Sequence, residues 1–343
     1  MSSLAGLPPT AKLIVGQGAF AASPLEGDLP PVAEAIVFEQ PTNSLRRFVM
    51  TAPSYRDAFA NVDGSPYLAG LDDKDLANWR GSSDTVPAFV LSDEHSPHYP
   101  RSKWKCGNGG IVAGCVIRRP SRGNFRTVVS CGFNLESAAL LEERRGSGRT
   151  IWCQMDVTSR YGKDPAATRL VDNLLSEIAS PREKRAKPGS AQVYWLGDAK
   201  DAQSLALVGA KIPAWDGKSK GTVLVLPGAD ISRLPFKYDR GRVLDFRAAV
   251  PNDAAFAGVC PADCYFRNAN DLPSPAFDVR RSGGCSFVFL GVGPGSALKG
   301  LWNEEKLARV WTTVLDNAGA SLSSDSPYIP KLDLYDGDAF HNW

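Results

Sequence analysis

The chain has 343 residues, enough for two domains of ordinary size, each able to bury its own core. Its 39 basic and 37 acidic residues are well mixed and leave a formal charge of +2, so no broad field exists to attract nucleic acid or an anionic membrane. No run of 18 apolar residues is present to span a membrane as a helix, and the start, MSSLAGLPPTAKLIVG, lacks the pattern of a secretory signal, which leaves location undetermined.

In chain order, Lys12 to Val15 (KLIV) reads as a buried strand ending in the glycine turn Gly16-Gln17-Gly18. Ala35 to Phe38 (AIVF) reads as a second strand ending at Glu39 and Gln40. Two short apolar strands with a connection between them predict a parallel sheet. Asn43 to Val49 and Asp72 to Trp79 are expected to be helices, the latter capped by Asp72. His95 and His98 lie in a proline-punctuated segment that reads as a surface loop, and no third metal ligand stands near them. Strands are expected at Gly110 to Ile117, Thr127 to Ser130 and Leu140 to Arg145, the first two separated by the basic turn RRPSRGNFR.

The most informative stretch is RTIWCQMDVTSRYGKDPAATRLVDNLL, residues 149 to 175. Ile151 to Val157 begins as a β-rich run. Asp164 and Pro165 then start a helix, Asp as N-cap and Pro at the first helical position. Ala167, Leu170, Val171, Leu174 and Leu175 fall at helical spacing, so one face packs on a sheet. The turn from Asp156 to Arg160 lies beyond the carboxyl end of the strand, where open α/β sheets place ligands. Asp156 and Arg160 also stand at i, i+4 and can pair with each other.

Beyond a Pro-containing basic segment, PREKRAK, the layout repeats. Gln192 to Leu196 is a strand and Ala199 to Val208 a helix. Thr222 to Leu226 (TVLVL) matches KLIV, Arg242 to Phe246 (RVLDF) matches AIVF, and FAGVCPADCYFR (256 to 267) matches YLAGLDDKDLANWR (67 to 80). Cys285 to Leu290, the turn GVGPGSA and a helix over Glu304 to Leu315 match the 149–175 unit. This predicts an internal duplication. The expected division is 1–180 for the first α/β domain, 181–188 for the linker, 189–320 for the second domain, and 321–343 for a tail or the start of a further module.

Chemical candidates are few. No G-x-S-x-G or G-x-C-x-G elbow occurs; the nearest thiol is Cys131 in VVSCGFN, with no histidine close in sequence. The seven cysteines show no CxxC pair and no metal-like grouping, which favours buried free thiols. Neither Gly16-Gln17-Gly18 nor Gly291 to Gly295 completes a phosphate-binding fingerprint, and Pro294 removes a backbone donor from the second. Glu39, Glu142, Glu143 and Asp156 are carboxylate candidates for glycosidic chemistry, although spacing does not make any two converge. Trp79 with Arg80, Trp104 and Trp343 are candidate sugar-stacking surfaces, against the alternative of core or interface aromatics. Metal and cofactor sites are not indicated.

Residues 123 to 175, together with AIVFEQ (35 to 40) and YLAGLDDKDLANWRG (67 to 81), resemble the C-terminal region of large bacterial proteins related to glycoside hydrolase family 2 and the β-galactosidases. Similar segments there read roughly as a GDF turn, a GF-L stretch, a G-GR strand, CQ-DVTGR and a DPAA helix. The resemblance covers most of residues 12 to 180 and is looser in the second half. It implies an α/β fold of two tandem flavodoxin-like (class I glutamine-amidotransferase-like) domains with mainly parallel sheets, serving as a non-catalytic module in oligomerisation or at the mouth of a carbohydrate site. The catalytic glutamates of such proteins belong to a separate barrel of about 250 residues, which this chain has no room for beside the duplication. No catalytic residue carries over. The candidate carbohydrate-binding residues are Trp79, Arg80, Trp104, Asp156 and Arg160. SRYG replaces the expected TGR-like turn but keeps Arg160. The implied partners are a carbohydrate and either a second copy or an upstream catalytic domain. The rival expectations are a stand-alone hydrolase with its site in an inter-domain cleft and a carbohydrate-binding module.

Overall fold

The computed structural model describes residues 7–21, 29, 32–62, 64–87, 107–132, 135–145, 148–180, 191–239, 241–242, 250–264, 266, 273–274, 277–294, 301–323 and 326–330. The chain divides into two compact units: Met1–Arg119 with Thr127–Glu143 and Gly148–Glu183 form unit 1, and Pro120–Arg126, Arg144–Ser147 and Lys184–Trp343 form unit 2. Both are α/β, mostly sheet with few helices, and their sheets mix parallel and antiparallel pairs.

In unit 1 the strands are β1 (Lys12–Val15), β2 (Glu34–Phe38), β3 (Met50–Thr51), β4 (Ala58–Ala60), β5 (Trp79–Ser82), β6 (Gly109–Gly110), β7 (Val116–Arg118), β8 (Phe125–Cys131), β9 (Ser137–Arg145) and β10 (Gly148–Cys153), followed by helix α1 (Pro165–Ala179). The main sheet runs β1-β2-β10-β9-β7-β3, with β8 beside β9 and β4 beside β8; β5 and β6 pair separately. β1, β2 and β10 are parallel, whereas β3–β7, β4–β8 and β7–β9 are antiparallel. In unit 1 the expectation of a mainly parallel sheet therefore holds only for β1, β2 and β10. The antiparallel part follows from β7, β8 and β9, which succeed one another through short turns that no crossover helix could span.

Period-2 alternation sorts the side chains of the parallel strands. Ile36, Phe38, Ile151 and Cys153 face a core completed by Leu170, Leu174 and Ile178 of α1. On the other face Trp152 meets Phe48 edge-on, with ring centroids 5.1 Å apart. Both faces are covered, which is why AIVF and TIWC read as continuous apolar runs.

Two expected helices are turns. At Asp72, the side chain accepts from Lys74 N and Asp75 N, and Asp75 returns a bond from Asp72 N at 3.0 Å. That closes one turn, and Asn78 at φ 50° then redirects the chain into β5. A capping pattern was present without enough residues behind it to propagate a helix. Asn43 to Val49 likewise forms turns, with Asn43 at φ 66°. The single strand expected over Gly110 to Ile117 is two short pieces, β6 and β7. Between them Val112 N bonds the Tyr55 carbonyl at 2.8 Å, out of the main sheet.

Unit 2 contains β11 (Val193–Leu196), α2 (Ala199–Leu207), β12 (Thr222–Val225), β13 (Gly241–Arg242), β14 (Pro273–Ser274), β15 (Phe277–Ser282), β16 (Cys285–Leu290) and α3 (Leu301–Asn317). Its sheet runs β11-β12-β16-β15, parallel except for the β15–β16 pair. Leu224, Leu226, Val288 and Leu290 face one core with Trp311 of α3; Val223, Val225, Phe287 and Phe289 face a second with Trp215.

The repeated layout is visible, with one change of equivalence. β12 lies between β11 and β16, as β2 lies between β1 and β10, so TVLV corresponds to AIVF and VYWL to KLIV. Matching TVLVL to KLIV was one strand out of step, because short apolar strands are interchangeable by pattern and only pairing ranks them. Most of Arg242 to Phe246 lies outside the described residues. The match of FAGVCPADC to YLAGLDDKDL survives in atomic detail. Gly70 and Gly258 both take positive φ, 74° and 84°. Asp75 accepts from Asp72 N at 3.0 Å, as Asp263 accepts from Cys260 N at 3.2 Å. Asn173 of α1 donates to the carbonyls of Tyr67 and Ala69, as Asn317 of α3 donates to those of Ala255 and Ala257.

The described residues past 320 pack within unit 2. Leu322 bridges Ala210, and Ser121 N and Ser121 Oγ bond the backbone of Pro327 and Ile329. Asn124, in the turn read only as basic, donates to Asp316 Oδ1 at 2.7 Å and accepts from Leu322 N at 2.9 Å. Arg144 also pairs with Asp316, which puts a cation where the carbonyl end of α3 favours one.

Candidate functional site: the turn after β10

β10 can approach β2 closely only because Gly148 lacks a side chain: a Cβ there would sit 2.2 Å from the Val32 carbonyl oxygen. Arg149 then enters the interior. Its Nε bonds Glu34 at 2.7 Å, its Nη1 donates to the Tyr67 hydroxyl, and Glu177 stands 3.5 Å away. Tyr67 in turn donates to Glu142. Glu143, next along β9, points to the opposite face and binds Arg47 at 2.8 Å and Trp152 Nε1 at 3.1 Å. Adjacent strand residues cannot converge on one bond, so Glu142 and Glu143 do not form a carboxylate pair.

Past Cys153 the polar side chains of Gln154, Arg160 and Asp164 find protein partners, whereas the buried Ser159 hydroxyl has none among the described residues. Gln154 Oε1 accepts from Gln40 N at 2.7 Å and its Nε2 donates to Gln40 O at 3.2 Å, clamping the ends of β2 and β10. Gln40 Nε2 donates to Gly16 O and its Oε1 accepts from Phe20 N, while Gly18 N bonds Glu39 O. The Gly16-Gln17-Gly18 turn is thus fastened by the protein's own groups. Arg160 bonds the carbonyls of Arg80 at 2.9 Å, Asp156 at 3.1 Å and Gly81 at 3.3 Å. It also pairs with Asp156 at 2.6 Å, and both are buried, at 1% and 0% exposure. Asp164 caps α1 through Ala166 N and Ala167 N and takes Arg80 N at 2.8 Å on its other oxygen.

Of the expected sugar contacts, Arg80, Asp156 and Arg160 come together, and Arg80 takes part through its backbone. Trp79 is buried, with Nε1 on the Asp75 carbonyl at 2.7 Å. Trp104, Trp343, His95 and His98 lie outside the described residues. Thr158, Tyr161, Gly162 and Lys163 of the turn are exposed, and the Tyr161 hydroxyl donates to Asp172 at 3.1 Å beside an open polar groove of about 400 Å³ lined by residues 162–165, 168, 169 and 172.

Glu39 is the titratable group that sequence reasoning left undistinguished among carboxylates. It is buried, and it accepts from Thr158 N at 2.7 Å and Thr158 Oγ1 at 2.6 Å. Desolvation, reinforced by the Asp156 charge and opposed by the Thr158 bonds, pushes its carboxyl up to about 7. A general acid or base needs such a value, but also access to substrate, and Glu39 is only 3% exposed. The signal in the sequence was its place at the end of a parallel strand. Its neighbour across the sheet could not be read from spacing.

The described cysteines are free thiols. Burial pushes Cys131 up to about 12 and raises Cys153 as well, helped there by Glu39. Both are protonated at neutral pH and poor nucleophiles. Among the described residues no group of three or more His, Cys, Asp or Glu is placed to hold a metal, and no helix is long and apolar enough to cross a membrane. Compared with known proteins, the chain matches no family model, no curated protein and no solved structure.

Proposed function

We propose that this chain is a non-catalytic accessory region of a glycoside-hydrolase-like, β-galactosidase-related protein, made of two flavodoxin-like (glutamine-amidotransferase-like) units that act in assembly or in completing a carbohydrate site. The observation that carries this reading is how Arg160 and Asp164 are used: three carbonyls, three backbone amides and one buried carboxylate take up their polar atoms. Groups committed in this way hold a strand, turn and helix together and have little left for turnover chemistry. The protonated thiols and the divergent Glu142 and Glu143 point the same way.

Incubating the purified chain with aryl β-galactosides and β-glucosides tests the reading. The expected result is no hydrolysis above buffer. Turnover that is lost in Glu142→Gln or Asp156→Asn, with the fold retained by circular dichroism, overturns it. Static light scattering tests the assembly part separately: self-association is expected, and a monomer at every concentration overturns that role.

A further inference from the structure

The groove at the start of α1 presents groups that the buried fastening of the turn leaves over. Lys163, Arg169 and Asp172 line it, and all three are exposed. Tyr161 borders it: its backbone runs on into Gly162, its hydroxyl is anchored on Asp172 Oδ1 at 3.1 Å, and both of those residues line the groove. The ring is thus held at both ends while the residue stays 51% exposed. An aromatic face fixed against water in this way suits a flat ligand, because little side-chain freedom is left to lose on stacking.

The polar groups around the ring narrow the ligand class. Pro165 has no N–H, Asp164 takes those of Ala166 and Ala167, and the Thr168 N–H bonds the Asp164 carbonyl, so the first helical turn keeps no amide for an anion. The formal charges lining the groove also balance, Lys163 and Arg169 against Asp164 and Asp172. What stays open is mixed. Lys163 uses one donor on the Ser159 carbonyl at 3.0 Å and keeps two. Among the described residues Arg169 makes no hydrogen bond or ion pair, and Asp172 Oδ2 accepts none. Arg169 and Asp172 stand at i, i+3 on α1 and are neighbours on its surface. Side chains that only donate, set beside one that only accepts, match hydroxyls, since each hydroxyl does both.

We propose that this groove is a carbohydrate subsite: the apolar face of a neutral pyranose stacks on the Tyr161 ring, and its adjacent hydroxyls donate to Asp172 and accept from Arg169 and Lys163. The proposal rests on the accessory reading above and gives its carbohydrate role a place. Asp156, Arg160 and Asp164 hold the turn and helix start that carry the groove and do not touch the sugar. At about 400 Å³ the groove is at the small end of ligand sites and is open, so binding is weak.

Saturation-transfer NMR on the full chain, with methyl β-galactoside and methyl β-glucoside as probes, tests the subsite. Transfer to the protons of one sugar face is expected, with a Kd on the order of millimolar. Tyr161→Ala should weaken binding about tenfold or more, and Tyr161→Phe, which keeps the ring but frees it from Asp172, only about two- to fivefold. Both side chains are exposed at this position, and circular dichroism checks that each variant folds. No transfer to either glycoside, transfer undiminished in Tyr161→Ala, or displacement of the sugar by inorganic phosphate at constant ionic strength overturns the subsite and leaves the accessory reading standing. Hydrolysis of aryl glycosides would overturn the accessory reading instead, whatever Tyr161→Ala does to binding.

Discussion

The closing segments of the two units share a plan and differ in what holds them. In each, a parallel strand passes through a turn into a helix, and an asparagine of that helix holds a short 3-10 segment by two carbonyls. Unit 1 fastens its turn with charge, through Arg160, Asp156 and Asp164. Unit 2 fastens Gly291 to Pro294 with an aromatic: Trp311 of α3 is fully buried and donates from Nε1 to the Val292 carbonyl at 2.9 Å, while Ser204 of α2 holds the Pro294 carbonyl. Two chemistries therefore serve one architecture. The charges in the unit 1 turn and the tryptophan of the unit 2 helix each tie a strand end, a turn and a helix together.

The largest effects should come from removing the two fasteners. Arg160→Ala leaves the Asp156 carboxylate buried and unpaired, with an expected loss of about 3–5 kcal/mol by denaturant unfolding. Trp311→Ala opens a cavity in unit 2, with a loss of about 3–5 kcal/mol. If the fasteners are equivalent, each change lowers the stability of its own unit by a similar amount. An Arg160→Ala change costing under about 1 kcal/mol would break the comparison.

Next comes the pH response expected of unit 1. The folded carboxyl of Glu39 lies above its ordinary value, so its contribution is complete below about pH 4.5 and is lost as pH rises through about 7. The expected loss is at most about 3 kcal/mol, seen as a falling thermal midpoint between pH 5 and 8 that Glu39→Gln flattens. A flat wild-type profile across that range would contradict it.

Gly293→Ala should cost about 1–3 kcal/mol, because the new methyl carbon would sit 2.4 Å from Trp311 Cζ2 in a packed core. The same change in a Trp311→Leu background should cost less, which a double-mutant cycle would measure. The smallest and most even pair is Asn173→Ala and Asn317→Ala. Each removes two bonds to backbone carbonyls, for a loss of about 0.5–1.5 kcal/mol per bond at most, and somewhat less where water replaces the amide. Losses differing by more than about twofold would show that the two helices are not held alike.

Much of unit 1's closing segment was legible before any coordinates. Asp164 before Pro165 announced a capped helix, and the spacing of Ala167, Leu170, Val171 and Leu174 announced its buried face, which Ile178 extends and Leu175 only borders. The i, i+4 relation of Asp156 and Arg160 suggested the pair that forms. What escaped were contacts between residues far apart in the chain. Glu39 and Thr158, Arg149 with Glu34 and Tyr67, and Asn124 with Asp316 have no local signature. Trp79 beside Arg80 suggested a stacking surface, yet the strand turns the indole into the core.

By itself, the sequence determined the apolar runs that become strands, the capped helices and the repeated order of elements, because these follow from period, caps and turn residues within a few positions of one another. Tertiary structure alone decided which strands pair, and therefore that β12 takes the place of β2, that the sheets are mixed, and that Glu39 is buried beside Asp156. Pairing and burial are set by the competition among all segments for the same core, and in that competition short apolar strands are nearly equivalent until they are placed.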